Sequence, residues 1–368
     1  MGEPTRQAAD DAPRGGMNSP DVSVEALLSG RLHASSRFRV LQHVEALKDL
    51  GVRVRAVPPR ISKYAGLPPG VVRRKHLAGP ARLTLQTAKL ASRLPALTRS
   101  WATDVTWLER ELLPGRLSLE PLLHRPLLFD VDDAIWLISD GYERAVRAIA
   151  SRSACVLAGN DFLADWFSAT APHVERVWTA VDTSRFFPRS EPSGGFTVGW
   201  TGSGFTLRYL ESVAGALARF LVEAPEATLV VMADFEPRLP EVPAGRVQFV
   251  QWHPETEAEV IRRMDVGIMP LYDDDYARGK CAFKMLQYLA TAVPAVVSPV
   301  GMAAQVLDMG EVGLAAGNED EWVDALLHLY HSRDKAEALG RNGRQLVERR
   351  FSVPVISRQL AACMRRYA

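Results

Sequence analysis

Apolar residues along the chain fall into two alternating kinds of run. Short, largely aliphatic runs at 22–28, 52–57, 105–108, 127–130, 154–158 and 174–178 end in turn-forming or charged residues, as buried strands do. Between them lie stretches with helical spacing. The clearest is 37–50, where Phe38, Val40, Leu41, Val44 and Leu47 share a face and Gly51 ends the pattern. Further helices are expected at 82–98, 142–151 and 161–169. A tract at 183–195 then breaks the rhythm with two prolines, two glycines and three serines. After it the pattern restarts, with strands at 196–200, 227–232, 247–250, 266–269 and 295–297 and helices between them, including 206–223. Strand–helix alternation in two halves predicts two Rossmann-like, doubly wound parallel sheets with a cleft between them. The expected division is a disordered tail at 1–20, a first domain at 21–182, a linker at 183–195 and a second domain at 196–351.

Length agrees with this division, since 368 residues, 47% of them hydrophobic, exceed one ordinary core. A net charge of +1 leaves no bulk basic field for nucleic acid. The first domain carries Arg53, Arg55, Arg60, Arg73 and Arg74, so membrane contact is expected to be peripheral at most. No apolar run reaches membrane-spanning length and the first twenty residues lack a signal-peptide stretch, so a cytoplasmic location is expected. Three widely spaced cysteines, Cys155, Cys281 and Cys363, fit neither a disulfide framework nor a zinc site. The 44 basic residues comprise 37 Arg and seven Lys, and between Lys89 and Lys335 the only lysines are Lys280 and Lys284.

Candidate chemistry gathers at the predicted strand ends. Gly199-Trp200-Thr201-Gly202-Ser203-Gly204 follows a strand and opens a helix, which suits either backbone amides around an anion or a plain turn. Its spacing is not that of a dinucleotide fingerprint. Lys280 lies in a loop and Lys284 at a helix start, where ammonium groups suit a diphosphate; the alternative is two solvated surface lysines. Asp130, Asp132 and Asp133 follow a first-domain strand, and either face the cleft as acceptor-orienting carboxylates or cap the next helix. Arg37 and Arg39 open the first helix and are candidates for an anionic acceptor or donor phosphate. Asn160 reads as a helix cap that also lines the cleft, and His33 as either a base or a solvated loop residue. Asp273-Asp274-Asp275 is read as a solvated loop rather than a metal site, and Glu109 and Glu111 flank Arg110 as ion-pair partners or site residues. Trp200 and Trp252 follow strands, as core residues or as rings for a base.

The stretch from Arg278 to Gly301, with Lys280, Lys284, Gln287 and Pro294 within it, resembles the donor-site signature of retaining GT-B glycosyltransferases. It is most similar to the large bacterial group that includes relatives of sucrose and glycogen synthases. Supporting segments lie at 35–39, 129–136, 158–160 and 199–203, in the order of that group. The resemblance implies transfer of a sugar from a nucleoside-diphosphate sugar to an acceptor hydroxyl, with retention, and with no metal or other cofactor. It implies a C-terminal helix (352–368) that returns to the first domain. It also implies donor contacts from Gly202, Ser203, Lys280, Lys284 and Gln287, and from the turn Val300-Gly301-Met302. Catalytic roles are expected for Asp130, Asp132 and Lys284, and acceptor-side or phosphate roles for Arg37 and Asn160. Two departures stand out. The family's motif holds two glutamates separated by seven residues; here the second position is Gln287 and the first is Gly279. The family's Arg and Lys after the first strand of the second domain are replaced by Gly202 and Ser203. Alternative readings are a sugar-nucleotide epimerase of the same fold and a catalytically degenerate donor-binding partner subunit.

Overall fold

The computed structural model describes residues 21–72, 75–190 and 194–368. The expected tail at 1–20, Arg73 and Arg74, and the middle of the expected linker lie outside the described residues. Two parallel six-stranded sheets organise the chain. The first holds β1 (Val22–Leu27), β2 (Val52–Val57), β3 (Val105–Glu109), β4 (Leu127–Val131), β5 (Cys155–Ala158) and β6 (Val174–Arg176), in the order β2-β1-β3-β4-β5-β6. The second holds β7 (Phe196–Thr201), β8 (Ala227–Ala233), β9 (Val247–Gln251), β10 (Val266–Met269), β11 (Ala295–Val297) and β12 (Gly313–Ala315), in the order β12-β11-β10-β7-β8-β9. The inner strands are largely buried on both faces, which is why they read as mostly apolar runs rather than alternating ones. The strand order reverses beside β1 and β3 in one sheet and beside β7 and β10 in the other. Crevices open at such points outside the carboxyl ends of the strands.

The sheets account for most of the core, and the helices depart from expectation in three places. The stretch 37–50 is not one helix: Ser36–Val40 is wound as a π-turn, Leu41–His43 as a 3-10 turn and Val44–Asp49 as an α-helix. This rewinding turns Arg39 into the first domain while Phe38 packs on Phe283 of the second, with ring centroids 4.1 Å apart. The predicted helix 82–98 is two, Lys75–Ala91 and Leu94–Ser100, because Pro95 fits the first turn of a new helix but not the interior of an old one. The predicted helix 206–223 breaks at Ser212 and Val213. Strand β12 carries only three residues and has no periodicity to announce it.

The domains meet over a shared core. Side chains from β4, the first-domain helix Asp161–Ser168 and the second-domain helix Phe283–Ala290 belong to one apolar cluster. The C-terminal helix Val353–Tyr367 lays Ile356, Leu360, Ala361 and Met364 against the first sheet, within the cluster formed by β1, β3 and β5. The chain passes between domains twice, side by side. The Val181 amide donates to the Phe351 carbonyl at 2.7 Å and the Val353 amide to the Val181 carbonyl at 3.2 Å. No helix among the described residues is long and apolar enough to cross a membrane.

Candidate functional site

The second-domain wall of the cleft is built around Lys284. It sits in the first turn of the helix Phe283–Ala290, entered through Ala282 at φ +47°. Its Nζ lies 4.2 Å from the Trp200 ring centroid and donates to Thr206 Oγ1 at 3.4 Å. No carboxylate among the described residues pairs with it. Burial, aided by Lys280, pushes its pKa down to about 7. Gly202 makes room for this arrangement: a Cβ there would sit 2.2 Å from Trp200 Cη2 and 2.7 Å from Lys284 Nζ. The amides of the glycine-rich turn do not form the expected anion cradle. The Gly202 amide donates to the Met232 carbonyl at 3.0 Å, the Ser203 amide to Thr206 Oγ1 at 3.1 Å, and the Gly204 amide to Asp234. The missing Arg and Lys are thus replaced by an open space that Lys284 enters, not by backbone donors.

Gln287 stands one turn after Lys284 on the same helix, 2% exposed, and its Nε2 has no hydrogen-bond partner. A buried amide without a partner is costly unless a ligand supplies one. Gly301 heads the helix Met302–Asp308 at φ +56°, and the Val300 amide is engaged by the Ser298 carbonyl at 2.8 Å. That leaves the amides of Gly301 and Met302 as the donors of this turn. Lys280 lies 4.4 Å from the Tyr276 ring centroid and 3.7 Å from Asp133 Oδ1. Burial is the largest influence and lowers its pKa, but Asp133, Tyr276, Tyr209 and Asp132 together outweigh it and hold the ammonium charged. The acidic run before it is engaged locally. Arg278 pairs with Asp273 at 2.9 Å and Asp275 at 3.1 Å, and Asp274 caps the short helix Asp275–Arg278.

On the first-domain wall the three aspartates separate. Asp130 is 1% exposed and points away from the cleft. Arg39 Nε donates to its Oδ1 at 2.7 Å and Trp107 Nε1 to its Oδ2 at 3.1 Å. Burial pushes its pKa up to about 6 against the pull of Arg39. This contradicts a catalytic Asp130: the carboxylate braces the interior and has no oxygen facing a substrate. Asp132 lies at the cleft with Oδ1 unpartnered. Burial raises its pKa, but Arg110 and a hydrogen bond from Ser35 prevail and hold it below the usual carboxylate range. Asp133 faces both Lys280 and Arg110, the latter at 3.9 Å. His33 stacks on Tyr64, and burial followed by the Arg110 charge pushes its pKa down to about 4, so the ring is neutral. Glu109 is held by the Ser29 amide and by the Ser36 hydroxyl.

Arg37 and Asn160 turn out to tie the domains together. Arg37 Nη2 meets Glu257 Oε2 at 3.1 Å, with its guanidinium over Phe38 and Trp252, so it is not a free anion contact. Asn160 Oδ1 caps the helix Asp161–Ser168 through the Leu163 amide at 2.9 Å. Its Nδ2 donates to the carbonyls of Arg278 at 3.3 Å and Lys280 at 3.0 Å, which fixes the loop carrying Lys280. Cys281 Sγ donates to the Asp132 carbonyl at 3.1 Å beside it. Gly279 is pressed against the first domain, where a Cβ would sit 2.5 Å from Ala134 Cβ.

Sequence reasoning underrated two features. Arg110 takes φ +60° at the end of β3 and places a buried guanidinium at the centre of the acidic wall. Only the flanking glutamates drew attention to it, and no local pattern announces a left-handed arginine. Thr206 and Trp200 shape the Lys284 pocket, which follows from tertiary packing alone.

Residues 197–332 match the family model for Glycosyl transferases group 1. No curated protein sequence matches the chain. Among solved structures the chain is similar to sucrose-phosphate synthase from Thermosynechococcus elongatus, at 14% identity and a TM-score of 0.70, covering 94% of this chain and 98% of that one. It is similar to Anabaena Alr3699/HepE in complex with UDP and glucose, at 13% identity and a TM-score of 0.68, covering 93% and 99%. A glycosyltransferase from Rickettsia africae ESF-5 matches at 12% identity and a TM-score of 0.66, covering 94% and 98%.

Proposed function

We propose that this GT-B glycosyltransferase transfers a sugar from a nucleoside-diphosphate sugar to an acceptor hydroxyl with retention of configuration, using lysines rather than a metal against the diphosphate. The observation that carries the reading is Lys284: a partly buried amine at the β7/β10 crevice, held by Thr206 and the Trp200 ring and paired with no carboxylate among the described residues. An anionic ligand supplies the missing partner. Solved structures of Anabaena Alr3699/HepE hold UDP-glucose and UDP, which supports a nucleotide sugar as donor. Lys280 completes the pair, and the unpartnered Gln287 Nε2 is assigned to a ribose hydroxyl. The amides of Gly301 and Met302 are assigned to the phosphate or sugar.

Departure of the nucleoside diphosphate breaks the bond from sugar C1 to the β-phosphate oxygen and leaves negative charge on that oxygen. Lys284 and Lys280 stabilise it where water is excluded, while the sugar becomes oxocarbenium-like. The acceptor oxygen bonds to C1 from the same face, and its proton passes to the departing phosphate oxygen. Asp132, with one oxygen free at the cleft, orients the acceptor hydroxyl. Asn160 positions Lys280 through the loop carbonyls, and Arg37 holds the domains together. Three buried free cysteines suit a reducing, cytoplasmic setting.

Thermal stabilisation by a panel of UDP-, GDP-, ADP- and TDP-sugars tests the reading, because a ligand that binds only the folded state raises its apparent stability. At least one donor is expected to stabilise the wild type and lose this effect in Lys284→Ala. A panel without any stabilising member overturns the proposal.

A further inference from the structure

The first-domain wall carries a cluster that the donor leaves unused. His33, Arg110, Glu111 and Asp132 gather at the ends of β1, β3 and β4, and each holds a buried polar atom with no protein partner: His33 Nδ1, Arg110 Nε, Glu111 Oε2 and Asp132 Oδ1. Buried polar groups are almost always bonded. One on a guanidinium and three on the residues around it mark a place where a ligand provides the bonds. Arg110 is central: Asp132, Asp133, Tyr64 and Glu111 act on it most strongly, and it acts in turn on His33 and Lys63. It is 6% exposed and kept at φ +60°, and backbone strain of this kind concentrates at binding sites.

The charges decide what fits. Arg110 lies 3.9 Å from Asp133, and Lys63 lies 3.2 Å from Glu111 Oε1. Asp132 adds a third carboxylate to these two cations, and His33 contributes no charge at neutral pH. Lys280 pairs with Asp133 in the free protein, but a bound diphosphate takes it up, so with the donor in place it no longer offsets these carboxylates. A phosphate or carboxylate placed here meets more negative than positive charge, with no unmatched cation to receive it. Hydroxyl groups meet no such penalty. They donate to Asp132 Oδ1 and Glu111 Oε2 and accept from Arg110 Nε, which satisfies donors and acceptors together. Tyr64, stacked on His33 with ring centroids 5.5 Å apart, is 49% exposed and adds an aromatic surface of the kind that a sugar ring packs against.

We propose that this cluster is the acceptor subsite and takes an uncharged polyhydroxyl group, a sugar ring bearing neither phosphate nor carboxylate. Arg110 is its specificity-determining residue. This inference rests on the glycosyl-transfer reading above.

The test has two stages. Donor binding is established first with the sugar-nucleotide panel; if no donor binds, the glycosyl-transfer reading and this inference fall together. With the best donor, acceptor-stimulated release of nucleoside diphosphate is then compared across hexoses, their methyl glycosides and short neutral glycans, and across the 6-phosphates of the same hexoses. An uncharged member is expected to stimulate release at least tenfold better than its phosphate ester. Preference for the phosphate esters, or no stimulation by any uncharged member, overturns the inference and leaves the donor reading standing. Arg110→Gly removes the guanidinium and suits the left-handed backbone. It is expected to raise acceptor KM tenfold or more with donor KM within twofold; a rise in donor KM instead places Arg110 on the donor and refutes the assignment. Should that variant fail to fold, Arg110→Lys, which keeps the charge and loses the Nε donor, carries the same comparison.

Discussion

Lys280 of the second domain reaches across the cleft to Asp133 of the first, Nζ to Oδ1 3.7 Å. The lysine assigned to the diphosphate is therefore paired with an acceptor-side carboxylate before any donor arrives, and donor binding exchanges one anion for another. Both partners are partly exposed, and pairs of this kind contribute at most ~1 kcal/mol. Asp133→Asn removes the competitor and is expected to tighten nucleotide-sugar binding by up to about fivefold. Lys280→Ala removes a charge-assisted contact worth roughly 1.5–3 kcal/mol and is expected to weaken binding about 10- to 100-fold. Titration calorimetry with the stabilising donor measures both; weaker binding in Asp133→Asn is evidence against the exchange.

Lys284 makes donor binding sensitive to pH. Its pKa of about 7 lies below the ordinary 10.5, and a bound diphosphate raises it again. Binding above pH 7 then takes up a proton, so donor affinity falls as pH rises, by up to about tenfold per unit. Stability of the unliganded protein moves the other way. Between about 7 and 10.5 the unfolded chain holds a proton that the folded chain has lost, so this residue's contribution to stability rises with pH across that window. Donor affinity measured from pH 6 to 9 is expected to bend near 7 in the wild type and to lose that bend in Lys284→Met. A flat wild-type profile contradicts the assignment.

Gly279 stands where related sequences are expected to carry a glutamate, and its surroundings show why a simple reversion does not restore one. A Cβ there would approach the Ala134 amide nitrogen to 2.9 Å as well as Ala134 Cβ. The loop around it is pinned by Asn160 and Cys281. Gly279→Ala is expected to destabilise by ~1–3 kcal/mol through overpacking, and Gly279→Glu by more. Thermal unfolding measures both. A Gly279→Glu protein with unchanged melting temperature and improved turnover would mean that the domains separate readily at this contact.

How far the sequence led can be judged at these positions. Strands were legible because parallel strands buried on both faces leave unbroken apolar runs, as in β5 and β11. Lys280 and Lys284 stand out in the sequence against an arginine background, and the structure places both near the helix start at 283. What one strand end does with its side chains was not legible. Asp130 and Asp132 are two residues apart, an even step, yet the first turns into the core and the second reaches the cleft, because the chain leaves β4 at Val131. Arg37 and Arg39 likewise diverge once the turn is rewound, one to Glu257 and the other to Asp130. Such choices depend on partners more than ninety residues away, which no local pattern records.

That divergence gives the last prediction. Asp130 and Arg39 form a fully buried pair with a second bond from Trp107, so removing one partner leaves a charge in the interior. Losses of this type run to ~3–5 kcal/mol. Asp130→Asn and Arg39→Met are expected to lower the melting temperature strongly, and turnover only in proportion to the folded protein remaining. Asp132 keeps one oxygen unpartnered, while Arg110 and Ser35 engage the carboxylate from the first domain. Asp132→Asn gives up part of its attraction to Arg110 but leaves the isosteric amide in place, and is expected to cost about 1–2 kcal/mol, less than either change in the Asp130–Arg39 pair. Its turnover is expected to fall about 10- to 100-fold, because it orients the acceptor hydroxyl while the proton passes to the departing phosphate oxygen. Paired thermal and kinetic measurements on the three variants separate the roles. Normal stability with lost turnover in Asp130→Asn, or full turnover in Asp132→Asn, would reverse the assignment of the two carboxylates.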